Sequence, residues 1–259
     1  MAEIASVTQR GKFEPFELQV SRGQIAWHRA VVVFGYNPDV DTTPETIWPG
    51  DGLLPYISAA SQLKVSSANA NDTANGTGAR TVYIGGLDAS HNEISEVVTM
   101  NGQTAVTTTQ SYLHINSAYV VTAGSGNGAA GNIYIGTGTV TLGVPATIYE
   151  IIAYDYNNRI TGSYTIPAGY TGYVVQGLFS SGQAGGSNAV TGRLMTRGTN
   201  NIPLTAAVTT LNNGAANYVF EYPVVIPEKT TVEAQAFGSS TNNACSSMFI
   251  INLIKNDGA

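Results

Sequence analysis

Apolar residues recur at every second position in short runs along most of this chain. No segment of ten or more residues repeats them at the i, i+3, i+4, i+7 spacing without glycine or β-branched clusters. Such a pattern buries side chains in sheets and leaves helices little to bury. It is clearest in residues 79–123, ARTVYIGGLDASHNEISEVVTMNGQTAVTTTQSYLHINSAYVVTA. Residues 81–84, 94–100 and 112–121 read there as successive strands of a β-meander. The turn signals between them are the polar cluster 88–93 and Asn101-Gly102, whose tolerance of positive φ suits a two-residue hairpin.

The same reading extends over the whole chain. Residues 1–24 carry few apolar residues and no clear period, so they form an extended N-terminal arm. Residues 25–36, IAWHRAVVVFGY, read as a buried strand with Trp27 beside it. Residues 37–58 hold four prolines and read as a long loop, of a length that usually serves contact or function. Strands follow at 59–67 and 131–142, and a change of phrase near Val144-Pro145 marks a boundary. Beyond it, strands read at 149–156, 163–166, 173–179, 189–196, 206–211, 218–225, 230–238 and 247–254, with a glycine-rich tip at 182–187. Strands at this spacing, bounded by Gly, Asn and Pro, indicate an all-β protein. The expected architecture is tandem antiparallel β-sandwich or jelly-roll-like domains, 25–145 and 146–259, behind the arm 1–24.

Composition narrows the function. Charged residues make up 11% of the chain and the net charge is −6, and between Arg80 and Arg159 there is no Lys or Arg. Phosphate backbones are held by clustered cations, so nucleic acid is not an expected partner. Cys245 is the single cysteine, which leaves no intrachain disulfide and suggests a buried, inert thiol. No signal-peptide pattern and no eighteen-residue apolar stretch is present, so no membrane partner and folding in a cytoplasm are expected.

Candidate chemistry is sparse. Gly126 to Gly131 matches G-x-G-x-x-G, yet a strand pattern follows where a dinucleotide site needs a helix. His28, His91 and His114 lie in different segments. His91 sits in the turn 88–93, where Asp, Ser and Asn hydrogen-bond their own backbone and explain the turn without a metal. Glu93 with Glu96, and Asp39 with Asp41, are the carboxylate pairs that glycoside hydrolysis would use, but no β-helix repeat accompanies them. No catalytic residue, cofactor or metal site is therefore expected. Candidate partner contacts are the cations Arg10, Lys12 and Arg22 of the arm, with the aromatic residues Trp27, Trp48 and Tyr56, and more weakly Tyr170.

The phrases NANDTANGTGARTV and GLDASHNEISEVVTMNGQTAVTTTQSYLHINSAYVVTAG resemble a β-rich segment of virion structural proteins of tailed bacteriophages, marine ones especially. The resemblance covers roughly residues 48–140, and more faintly 164–172 and 223–233. It implies a structural protein of the virion, either a capsid decoration or cement protein bound to the major capsid protein, or a tail-fibre or tail-hub component binding a receptor or glycan. Low charge and uncovered sheet edges add an expectation of homo-oligomers, trimers or otherwise dimers.

Overall fold

A computed structural model describes residues 8–9, 12–182 and 188–256. Residues 183–187, most of the glycine-rich tip expected at 182–187, and Arg10 lie outside the described residues. The chain begins with two short strands, β1 (Thr8–Gln9) and β2 (Lys12–Phe13), and a helix, α1 (Phe16–Ser21). The strands β3 (His28–Val40) and β4 (Glu45–Thr46) follow. Next come β5 (Ser61–Ser67), β6 (Ala79–Leu87), β7 (Glu93–Thr99), β8 (Val106–Tyr112), β9 (His114–Ala123), β10 (Ile133–Thr141), β11 (Val144–Ala153) and β12 (Asn158–Arg159). The last group is β13 (Ser163–Thr165), β14 (Tyr170–Gly182), β15 (Ala189–Arg197), β16 (Pro203–Asn212), β17 (Gly214–Ile226), β18 (Thr231–Gly238) and β19 (Asn243–Lys255). The protein is all-β and its paired strands run antiparallel, as the alternation predicts.

Strands β5 to β12 form one eight-stranded sheet in the order β7-β6-β9-β12-β11-β10-β5-β8, curled into a nearly closed barrel. No ladder joins the end strands β7 and β8. The Glu96 carboxylate of β7 accepts the backbone N–H groups of Thr109 at 2.9 Å and Gln110 at 3.0 Å on β8, and so bridges the seam. Inside are Leu63, Val65, Val82, Ile84, Tyr112, Ile133, Ile135 and Ile152. Each side chain of this size contributes about 1.5–3 kcal/mol when fully buried.

Strands β1 and β2 pair only with each other, and β3, β4 and β13 to β19 make a sandwich. One sheet has the order β13-β18-β15-β16, with β4 also against β18, and the other has the order β17-β14-β19-β3. Val33, Ile166, Val174, Val232, Phe249 and Ile251 fill the space between them.

Strands β4 and β13 are two halves of one edge strand. Along β18, Glu45 and Thr46 pair with Ala236 and Gln235, and Ser163 to Thr165 pair with Glu233 to Thr231 in the same direction. Between the halves, Ile47 N–H donates to Ala234 O at 2.9 Å, Ala234 N–H donates to Gly162 O at 2.7 Å, and Gly162 N–H donates to Ile47 O at 2.9 Å. The barrel is thus inserted into a sandwich edge strand, and both of its connections leave from one point.

Several expectations need correction. The run 25–36 belongs to the sandwich and not to a first domain 25–145, because β3 pairs along its length with β19. Residues 146–153 belong to the barrel, because β11 pairs with β10 and β12. Strand β3 continues through Pro38 to Val40, which shortens the loop expected at 37–58; as an edge strand it tolerates the missing donor. Residues 79–123 are not a simple meander, since β6 pairs with both β7 and β9 while β8 crosses to pair with β5. Gly102 does adopt φ +61°, but the turn serves this crossing and not a hairpin, and the Gly102 N–H donates to Asp72 O at 2.7 Å. The arm is folded in part, with α1 burying Gln19 and Val20.

Candidate functional site

The residues expected to meet a partner do not converge. Lys12 lies in β2. Arg22 follows α1 and forms an ion pair with Glu14. Trp27 is 57% exposed with φ +63°, its backbone held by the Lys255 N–H, which donates to Trp27 O at 3.0 Å. Trp48 is not a surface contact. It is buried against Leu54 and Ile151, and its Nε1–H donates to Gly52 O at 3.1 Å. Tyr56 is half-buried, its hydroxyl donating to Glu233 and its ring lying 4.6 Å beneath Arg197. Burial and the Glu233 charge push this phenol well above its ordinary pKa. The physical reason for both corrections lies on β18. Glu233 and Gln235 point away from the sandwich core and need cover, which residues 46–57 supply: Thr46 Oγ1 donates to Glu233 at 2.5 Å beside Tyr56.

Barrel and sandwich meet through polar contacts that fix their relation. Arg159 Nε donates to Glu150 at 2.6 Å in a buried pair, and Arg159 Nη1 donates to Asn116 O at 3.1 Å and Ser163 O at 3.0 Å. Arg29 of β3 bonds Glu93 of β7 at 2.6 Å and lies 4.9 Å over the Tyr170 ring. The Ala168 N–H donates to His91 O at 2.9 Å. The rings of His91 and His114 lie 5.3 Å apart at this junction. Burial, and then His91, push His114 down to about 4, while burial and the nearby Lys229 lower His91.

The sequence motifs find structural employment. In the turn at His91, Asp88 Oδ1 accepts the N–H groups of Ser90 at 2.8 Å and Asn92 at 2.9 Å. The glycine-rich segment 126–131 is tied to buried Asp72, which accepts the N–H groups of Ala130 at 2.8 Å and Gly131 at 3.2 Å, and β10 follows it. Glu93 and Glu96 are each committed to the partners named above. Among the described residues, no group of three or more His, Cys, Asp or Glu is placed to hold a metal ion. Among the described residues, no helix is long and apolar enough to cross a membrane.

What sequence reading missed is the outer face of the four-stranded sheet. Val32 pairs across it with Ile250, Gln176 and Val219, and the next row is Phe34, Met248, Leu178 and Asn217. Val32, Phe34 and Val219 are exposed by 46%, 51% and 74%. A groove of about 540 Å³ borders this face between Phe34, Leu178, Met248 and Tyr156. The available signal was in AVVVF and MFIINLI, where apolar residues occupy both parities of a strand and so both faces of its sheet. Cys245 lies on the same strand β19, buried, its thiol pushed up to about 12 by burial and the Glu45 charge.

No protein-family model matches the chain, and no curated protein matches it. Among solved structures, it is similar to infectious bursal virus-derived T=1 particles, at 9% identity with TM-score 0.25, covering 88% of this chain and 70% of that one. It is also similar to the VP2 subviral particle of infectious bursal disease virus, at 11% identity with TM-score 0.24, covering 89% and 72%. Likeness at these TM-scores specifies neither a common fold nor a common role.

Proposed function

We propose that the protein is a structural component of a tailed-phage particle, a decoration or cement protein bound to the major capsid lattice, working without catalysis, cofactor or metal. The observation that carries this reading is the resemblance of residues 48–140 to virion structural proteins, because that segment coincides with most of one closed folding unit, the barrel. Arg159, bonded to Glu150 in the barrel and Ser163 in the sandwich, and the sealing loop 46–57 make a rigid two-part body, which suits a load-bearing role. The N-terminal segment, with Arg10 and Lys12, fastens this body to an acidic shell, while the barrel stands away from it. Homo-oligomers form as part of that arrangement.

The test has two parts. Quantitative mass spectrometry of purified particles gives hundreds of copies for a capsid ornament, against a handful for a tail part. Deleting residues 1–13 and adding the protein to undecorated capsids gives lost binding; undiminished binding removes the fastening role. The tail reading draws on one contact, the stacked pair Tyr83 and Tyr119 at 4.8 Å on the barrel wall, a platform on which a sugar ring could lie.

A further inference from the structure

We propose that the outer face of the four-stranded sheet β17-β14-β19-β3 is the interface between two copies of this chain, packed face to face about a two-fold axis. The inference deepens the homo-oligomer part of the reading above and does not depend on a capsid.

Charge comes first. Four successive rows cross this face, from Ala30 to Val225, Val32 to Val219, Phe34 to Asn217 and Tyr36 to Ala215, and none of their positions holds a charged residue. In a chain with net charge −6, four rows without a carboxylate or a cation match another uncharged surface, and the exposed Glu221 borders them on the edge strand β17. Some polar groups on it bond one another. Ser180 and Ser246 hydroxyls are 2.6 Å apart, and Gln176 Nε2 donates to Asn217 Oδ1 at 2.9 Å.

Area and edges decide the geometry. Four strands about 4.8 Å apart, over the seven residues that these rows span at about 3.3 Å each, present roughly 450 Å² in plan. That is somewhat over half of the ~800 Å² per partner of a standard interface, in plan and before side-chain relief. Growth by strand addition is blocked on both sides. Along β17 the register slips between Gln176↔Val219 and Val174↔Val224, and the slipped stretch contains Pro223 and the exposed Glu221, which lies at the rim. Along β3 the Tyr36 N–H donates to Ile160 O at 2.9 Å, and α1 packs beside it. What remains open is the face. A single contiguous patch pairs with itself isologously, which gives two copies, whereas a ring of three needs two different patches. The groove beside Phe34 and Tyr156 gives the partner's side chains a concavity to enter.

Sedimentation equilibrium of the full chain tests this. The wild type is expected at the mass of two chains at concentrations of about 10 µM. Phe34→Asp and Val219→Asp, at exposed positions on different strands, are expected to raise the dissociation constant by at least about 100-fold while leaving the far-ultraviolet dichroism unchanged. Val121→Asp, an exposed position on the barrel, leaves association intact. A monomeric wild type overturns both this interface and the homo-oligomer reading. An oligomer that survives both charged variants keeps the oligomer and overturns the interface, and a mass of three chains overturns the two-fold arrangement.

Discussion

Glu96 closes the barrel seam with a side chain where a ladder is missing, and this makes the seam sensitive to acid. Burial works to raise its pKa, but the N–H groups of Thr109 and Gln110 and the hydroxyls of Thr109 and Tyr112 hold it below the ordinary 4.5. A lowered carboxylate stabilises fully above its unfolded value and loses that contribution as pH falls through the folded one. Urea midpoints are therefore expected to drop below pH 4.5, and Glu96→Gln, which turns an acceptor toward an N–H into a donor, flattens that drop and lowers the midpoint at neutral pH. His114 acts in a higher window. Its pKa falls from 6.5 to about 4, so the unfolded chain takes up a proton that the folded junction resists. Stability is complete above pH 6.5 and falls between 6.5 and 4, by an amount of order 3 kcal/mol. His114→Gln removes the larger part of the slope in this window, the rest belonging to the lowered His91, and leaves the Glu96 window in place, which pH-dependent urea titrations separate.

Most strands were legible because alternation reports burial on one face, and β5, β10 and β13 to β19 fall where the pattern puts them. Partnership was not legible. The apolar run 25–36 says that β3 is buried, but nothing in it names β19, more than two hundred residues away, as the neighbour. The boundary near Val144-Pro145 failed because a tight β10–β11 turn and a domain linker share the same residue types, Leu-Gly-Val-Pro. At the candidate sites, Trp48 and Trp27 looked alike in sequence. The loop 46–57 folds back on Glu233 and Gln235, so Trp48 is enclosed while Trp27 stays in solvent. Trp48→Ala is expected to cost about 3–5 kcal/mol in urea unfolding, and Trp27→Ala under about 1 kcal/mol.

At the scale of the molecule, the sandwich is assembled from both ends of the chain and the barrel from its middle. Because Ile47 and Gly162 exchange backbone contacts on the same stretch of β18, the barrel is separable in principle. A chain in which a short Gly-Ser linker replaces residues 49–160, with Trp48→Ser, is expected to give a β-type dichroism spectrum. It should unfold in one urea transition with an m-value roughly 0.6 of the parent's. Loss of cooperative unfolding would show that the sandwich needs its contacts with the barrel, among them the Arg159–Ser163 junction, to hold together.

The split edge strand also sets an order of events. In an unfolded chain, bringing residue 47 to residue 162 closes a loop of more than a hundred residues, at an entropic cost of about 4 kcal/mol. A barrel that has already formed holds its two ends together and removes that cost, so its own shorter-range pairings come first and the two half-strands zip onto β18 afterwards. In pulsed hydrogen exchange, amides of β5, β6 and β10 should gain protection before those of Ile47, Gly162 and Ala234. The inserted unit would then act during folding as the clamp that lets its host close.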